Sequence, residues 1–381
     1  MIPYGRQTIS EEDIQAVTSV LRSDWITQGP TIPRLEQAVA SYCQIPYGVV
    51  VSSATAALHL ACLALDVGPN DRVWTTPNTF VASANCALYC SATVGFVDID
   101  ITTGNMSVQA LARKLQEAEA RGGLPKVVIP VHFAGEPCDM AAMADLAQRY
   151  GFRVIEDASH AIGARYPNGV VGDCRYSDIT VFSFHPVKII TTGEGGGLTT
   201  RSPQLARKLE LLRTHGITRD TTEMEEASPG SWYYEQVMLG FNYRMTDLQA
   251  ALGISQLSRI EEFIGRRHVL ASRYDAALQG LPLRSLQRSS INRSALHLYV
   301  VYVSADRRRQ VFNQLREAGI GVNVHYIPVH LQPYYRRFGF HEGDFPAAEQ
   351  HYREAITLPL YPGLNESEQD QVIAALREVL Q

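Results

Sequence analysis

Residues 47–65 read YGVVVSSATAALHLACLAL. A short β-branched run stops at two serines and continues as alanines and leucines of high helix propensity. A change of period within so few residues marks a strand handing over to a helix. The same step recurs along the chain. DRVWTT at 71–76 leads into FVASANCALYC at 80–90, KVVIPVHF at 126–133 leads into MAAMADLAQRYG at 140–151, and FRVIEDAS at 152–159 closes the series. Short apolar strands alternating with helices are the pattern of βαβ units around a mostly parallel sheet, so the fold class is α/β. Ligands are expected at the carboxyl ends of the strands.

From 178 the rhythm changes. DITVFSF at 178–184 and GGLTT at 196–200 read as strands, and the residues between them, built around Pro186, have no helical period. Two strands joined by a loop argue against a TIM-barrel aldolase, which needs a helix after every strand. Residues 246–278, TDLQAALGISQLSRIEEFIGRRHVLASRYDAAL, read as one long amphipathic helix. Beyond it, ALHLYVVYV at 295–303, a helix around RRQVFNQLREAG at 308–319, the extended GVNVHY at 321–326 and a last helix, QDQVIAALREVL at 369–380, make a smaller α/β unit. The boundary between the two units is placed near residue 250.

Composition narrows the function. The chain has 381 residues, 45% of them hydrophobic and 19% charged, which exceeds what one minimal domain needs. A net charge of −5 argues against a broad footprint for nucleic acid or an anionic membrane, so an anionic ligand must be held locally. Apolar stretches such as LYVVYV at 298–303 are too short to cross a bilayer, and the opening MIPYGRQTISEED has no apolar signal region. A cytoplasmic protein is expected. Six scattered cysteines, Cys43, Cys62, Cys86, Cys90, Cys138 and Cys174, suit reduced thiols. Cys86 and Cys90 share helical spacing, but no second Cys or His pair completes a ligand set, so no metal is expected. GEGGG lacks the Lys-Ser/Thr pair of a P-loop, Leu198 stands where GxGxxG needs its third glycine, and neither GxSxG nor HExxH occurs.

Three features carry chemistry. At SSATAAL, 52–58, the amides of Ala54 and Thr55 and the hydroxyls of Ser53 and Thr55 meet at a helix start, which suits a phosphate; ordinary capping accounts for the same residue types. Asp157 ends an apolar strand, where a carboxylate needs a cation or several donors; capping of the following turn would also supply them. Lys188 sits in FSFHPVKIITTGEGG, 182–196. An ordinary lysine, of pKa about 10.4, keeps only about four free amines in ten thousand at neutral pH, so a nucleophilic role needs an apolar or cationic setting. A solvated lysine on a plain connection is the alternative. Together the three match pyridoxal phosphate (PLP). Its phosphate needs an anchor, its ring nitrogen a carboxylate, and its aldehyde a lysine that carries it as an imine. Phe80 is placed to cover one ring face.

WITQGP at 25–30, SSATAALHLA at 52–61, TTPNTFVASANC at 75–86, EDASHAIGA at 156–164, FSFHPVKIITTGEGGG at 182–197 and GFNYRMTDLQAALG at 240–253 resemble the DegT/DnrJ/EryC1/StrS family of nucleotide-sugar aminotransferases over nearly the whole chain. The resemblance implies the PLP-dependent aminotransferase fold type I. In that fold a large domain, residues 1–250, carries a mixed, mostly parallel seven-stranded sheet, and a smaller α/β domain follows at 251–381. It implies that Lys188 binds the cofactor aldehyde, Asp157 pairs with the ring nitrogen, His160 lies near the cofactor hydroxyl, and Ser183 joins Ala54 and Thr55 at the phosphate. Ala54 stands where relatives more often have glycine. Asn242 is similar to the residue that relatives lend across a dimer to the same cofactor phosphate, so the implied form is a homodimer with shared active sites. One branch of the family replaces the lysine with histidine and dehydrates its substrate; Lys188 aligns with the lysine, which favours amino transfer.

The implied substrates are L-glutamate and a UDP-4-keto-6-deoxy-N-acetylhexosamine aminated at C4 in a ping-pong cycle. The amino-terminal IPY…R…I and DWITQGP pattern resembles members acting in pseudaminic acid biosynthesis. Substrate contacts are expected from Tyr4, Arg6, Trp25 and Thr27 and from His325 and Tyr326, with Arg6 toward the diphosphate. Amination of another UDP- or dTDP-keto sugar, at C3 or C4, is the alternative within the family. A PLP-binding regulator without turnover is the alternative outside enzymes.

Overall fold

The computed structural model describes residues 1–380. Seven strands form one sheet: β1 (Tyr47–Val51), β2 (Arg72–Thr75), β3 (Thr93–Phe96), β4 (Val127–Ile129), β5 (Arg153–Asp157), β6 (Ile179–Ser183) and β7 (Gly196–Thr200). Their order across the sheet is β1-β7-β6-β5-β4-β2-β3. Only β7 runs against its neighbours, pairing antiparallel with β1 and β6, while the other pairs are parallel. The expected mixed, mostly parallel seven-stranded sheet is therefore present.

Strand alternation explains why these runs are apolar throughout. Val49, Val51, Val127, Ile129, Ile155 and Val181 face one core, with helices Ala54–Ala64, Ala82–Tyr89 and Pro203–Arg213 packed on it. Val50, Val128, Val154 and Phe182 face the other, under helices Thr31–Tyr42, Val108–Arg121 and Met140–Tyr150. A sheet covered on both faces cannot show polar alternation.

The stretch expected as one helix over 246–278 is two, Asp247–Ser258 and Ile260–Ala277. The first starts at a capping box between Thr246 and Gln249. At the break, Arg259 donates to the buried Asp13 carboxylate at 2.7 Å. The second helix leaves the sheet core after Ile264 and enters another cluster at Leu270, Ala271 and Tyr274. That cluster belongs to a three-stranded antiparallel sheet of β8 (Arg284–Ser285), β9 (Tyr299–Tyr302) and β10 (Ala355–Leu358), covered by helices Ala305–Glu317 and Glu366–Leu380. The amino terminus is tied to this unit, since Ile2 N–H donates to the Gly319 carbonyl at 2.8 Å and Leu360 N–H to the Tyr4 carbonyl at 3.0 Å. All six cysteines are unpaired and buried. Among the described residues no helix is long and apolar enough to cross a membrane.

Candidate active site

The carboxyl ends of β1, β5 and β6, the segment after β2 and residues 323–326 enclose a cavity of about 570 Å³. At one end is the start of helix Ala54–Ala64. Ser53 caps it: its Oγ accepts from Ala56 N–H at 3.1 Å and its carbonyl from Ala57 N–H at 3.0 Å. Of the four amides that a helix start leaves without partners, those of Ala54 and Thr55 remain for an anion. The Ser53 Oγ accepts in the cap, which leaves its O–H free to donate to the same anion beside the two amides. Ser183, at the end of β6, pairs with Gly196 and lines the same space. A Cβ on Gly196 would lie 2.6 Å from the Ser53 carbonyl and 2.7 Å from Ala54 N, so only glycine lets β7 pass behind this cradle.

At the end of β5 the buried Asp157 turns into the cavity. Its Oδ2 accepts from Ser83 Oγ at 2.6 Å and its Oδ1 from Ser159 N–H at 3.1 Å; Ser83 Oγ also lies 2.7 Å from Thr79 Oγ1. The preceding residue, Glu156, points to the opposite side of the sheet, as strand geometry requires. There it accepts from Tyr166, Ser177 and, at 2.8 Å, His132, whose Nδ1 in turn accepts from Cys138 N–H at 3.0 Å. Of two adjacent acids one faces the cavity and one is enclosed in a hydrogen-bonded core.

The loop bearing Lys188 is tightly fixed. Phe184 N–H donates to the Gly195 carbonyl and Thr192 N–H to the Phe184 carbonyl, both at 2.9 Å, and Ile189 and Ile190 are anchored in the core. Helix Asp247–Ser258 presses on the loop through Gly253, where a Cβ would lie 2.8 Å from the Thr192 methyl. The Lys188 side chain reaches the cavity, and burial lowers its pKa to about 8 against the opposing pull of Asp157. His160 Nε2 lies 3.0 Å from the Tyr326 hydroxyl, and its Nδ1 is enclosed without a partner. Burial, with Lys188 and His325, holds this imidazole well below its ordinary pKa, so it is neutral. Phe80, 60% exposed, stands in the wall of the cavity.

Two unused amides, a carboxylate held by two donors, an amine of lowered pKa and a neutral imidazole with an idle nitrogen thus open on one space. They fit pyridoxal phosphate by its chemistry: an anion, a ring nitrogen to protonate, an aldehyde and a phenolic oxygen. Of the residues expected at the substrate, Tyr4, His325 and Tyr326 line the cavity, and the Tyr4 ring lies 5.2 Å from His325. The other three, Arg6, Trp25 and Thr27, do not line it, nor does Asn242, which was expected to serve a partner's site. Arg6 faces the Pro186–Ile189 turn from behind, since the chain just before it is tied to the small unit. Trp25 stands over a separate cavity of about 440 Å³ beside helix Asp247–Ser258, and the Thr27 carbonyl accepts Asp247 N–H at 3.0 Å. Asn242 is exposed, bridged through its backbone to Thr214. Sequence reading missed Ser83, Ser159 and His297. Ser83 and Ser159 lie inside quoted motifs, where a buried acid in want of donors was the available signal, whereas His297, in an apolar run, carries none.

The profile of the DegT/DnrJ/EryC1/StrS aminotransferase family matches residues 7–377. The chain belongs to this family. It is a PLP-dependent sugar aminotransferase by that membership. The chain is 40% identical to the spore coat polysaccharide biosynthesis protein SpsC of Bacillus subtilis, over all of this chain and 97% of that one. Spr1654 of Streptococcus pneumoniae, solved in its PMP form, is 32% identical with a TM-score of 0.90, covering 100% of this chain and 99% of that one. Helicobacter pylori PseC, an aminotransferase involved in the biosynthesis of pseudoaminic acid, is 28% identical with a TM-score of 0.90 over the same shares.

Proposed function

We propose that this aminotransferase moves the amino group of L-glutamate to C4 of a UDP-4-keto-6-deoxy-N-acetylhexosamine. The product is UDP-4-amino-4,6-dideoxy-N-acetyl-β-L-altrosamine, a precursor of pseudaminic acid made in the cytoplasm. One observation carries the chemistry: Lys188 brings an amine of lowered pKa into the cavity that Asp157 and the helix start share. The full-length similarity to PseC and the amino-terminal pattern support the choice of sugar.

Bound PLP supplies an electron sink for the charge that develops where the substrate carbon loses its proton. The chain's residues do the rest. Ala54 and Thr55 amides and Ser183 hold the phosphate, and Phe80 covers a ring face. Asp157, steadied by Ser83 and Ser159, keeps the ring nitrogen protonated. With a pKa of about 8, roughly a tenth of Lys188 is free amine at pH 7, two orders of magnitude more than an ordinary lysine. That amine takes a proton from one carbon and returns it to another. Tyr4, His325 and Tyr326 face the sugar.

No arginine of the same chain, among the described residues, lines the cavity. A nucleotide diphosphate therefore calls for groups from a second copy, and the exposed Asn242 marks the segment that a homodimer would lend to the partner's cofactor phosphate. Residues 1–250 serve as the cofactor domain in this reading, and 251–381 close over it. The test is a panel of UDP-4-keto sugars of both C5 configurations and dTDP-keto sugars with glutamate, the product identified by NMR. Preference for a dTDP substrate, or amination at C3, would replace this assignment by its nearest alternative.

A further inference from the structure

His297 lines the cavity, and no step above uses it. Its ring packs on His160 with centroids 4.4 Å apart. The backbone there is held from several sides. His297 N–H donates to the Ala134 carbonyl at 2.8 Å, and the buried Arg267 guanidinium donates to the carbonyls of Leu296, His297 and Leu360 at 3.3, 3.2 and 2.8 Å. Two non-glycine residues at this junction take left-handed backbone, Ala134 at φ 57° and Leu296 at φ 50°. Such conformations are costly for residues with a Cβ and persist only where surrounding contacts outweigh them. The clamp is itself unusual, because the buried Arg267 spends its guanidinium on these three carbonyls and has no carboxylate partner among the described residues.

We propose that His297 is a positioning residue. Its ring covers His160, keeps water from it, and so holds the His160–Tyr326 pair as an uncharged hydrogen-bonding unit beside Lys188. This rests on the aminotransferase reading above and assigns a residue that reading leaves idle. Burial, together with the charge of Lys188, holds both imidazoles well below their ordinary pKa, and Nδ1 of each is enclosed without a partner. The charged and titratable groups facing the pair are Lys188, His325, Tyr326 and, at the His297 carbonyl, Arg267, with Asp157 and Tyr4 beyond Tyr326. No carboxylate acts directly on either imidazole: Asp157 lies beyond Tyr326, and both its oxygens already accept hydrogen bonds. Without the His297 ring, water reaches His160, whose pKa rises toward about 6.5, and a positive charge appears next to Lys188 as pH falls through that value.

The experiment uses the holoenzyme and follows the glutamate half-reaction through cofactor absorbance from pH 5.5 to 8.5. His297→Ala and His297→Gln are expected to add a second acid limb near pH 6.5 to the wild-type profile, so that the variant-to-wild-type rate ratio at pH 5.5 is about tenfold below its value at pH 8. His297→Phe, which restores a flat ring, should remove the limb. Diethyl pyrocarbonate should modify His160 in the Ala and Gln variants and spare it in wild type, as read by mass spectrometry. The Gln variant carries the test if the Ala variant does not fold. Wild-type pH profiles in the Ala or Gln variants, or the added limb in the Phe variant, overturn the proposal. A wild-type enzyme that does not react with glutamate would instead overturn the aminotransferase reading itself.

Discussion

The cavity holds Lys188 at a thermodynamic cost that can be measured. Replacing it with methionine keeps an unbranched side chain of similar volume and removes the charge. In the folded, cofactor-free protein the lysine titrates near 8 instead of 10.5 because burial disfavours the ammonium. At about 1.36 kcal/mol per pKa unit, and allowing for water in the cavity, this corresponds to about 2–3 kcal/mol. The direction follows from the proton count. Below pH 8 the ammonium is present in both folded and unfolded chains, so the folded state bears the whole cost. Between about 8 and 10.5 the folded chain binds fewer protons than the unfolded one, so wild-type stability climbs with pH relative to the variant, and above 10.5 the cost is gone. Cofactor-free Lys188→Met should therefore be more stable than cofactor-free wild type at pH 7 by about 2–3 kcal/mol, with the gap closing toward pH 10.5. Urea unfolding of both proteins at fixed concentration across pH 7–10.5 measures it, the difference between them cancelling other titrating groups. A gap that stays constant with pH, or a variant less stable at pH 7, refutes the argument. The same variant should lose amino transfer altogether, so stability gained at this position is function lost.

Two other sites give independent checks. Ser83→Ala removes the 2.6 Å hydrogen bond to Asp157, and bonds to charged acceptors contribute about 1.5–3 kcal/mol; PLP affinity, read by absorbance titration, should fall on the order of tenfold or more. Unchanged affinity would show that Ser159 alone suffices to hold the acid. Gly196→Ala places a methyl against the backbone of Ser53 and Ala54, so the anion cradle must shift. Weaker binding of the cofactor phosphate and a lowered thermal midpoint are expected, and a variant that binds PLP as wild type does would contradict the close approach of β7.

Much of the architecture is written in local patterns. Strand-to-helix transitions such as Val51 to Ala54 are set by side-chain period and by which residues cap a helix, both of which operate over a few neighbours. The strand–loop–strand around Lys188 is legible for the same reason, as is the placing of Asp157 and Ser53 at strand ends. The local pattern misled where a long-range contact intervened: the helix over 246–278 divides at Arg259, whose partner Asp13 lies 246 residues away.

What only tertiary structure decided concerns direction and partnership. Asp157 and Glu156 are equivalent in a sequence, and the sheet's two faces make one a cavity acid and the other a core acid. Ser83 meets Asp157 across 74 residues, and His160 meets Tyr326 across 166. Arg6 and Trp25 carry suitable chemistry yet lie outside the cavity of their own chain. His297 sits in an apolar run that reads as plain strand, and only the crossing of three segments sets it against His160. Residue type and spacing therefore determined which groups this chain could offer, while the convergence of distant strand ends selected which of them share one space, because a side chain's partners depend on three-dimensional packing that no local period encodes.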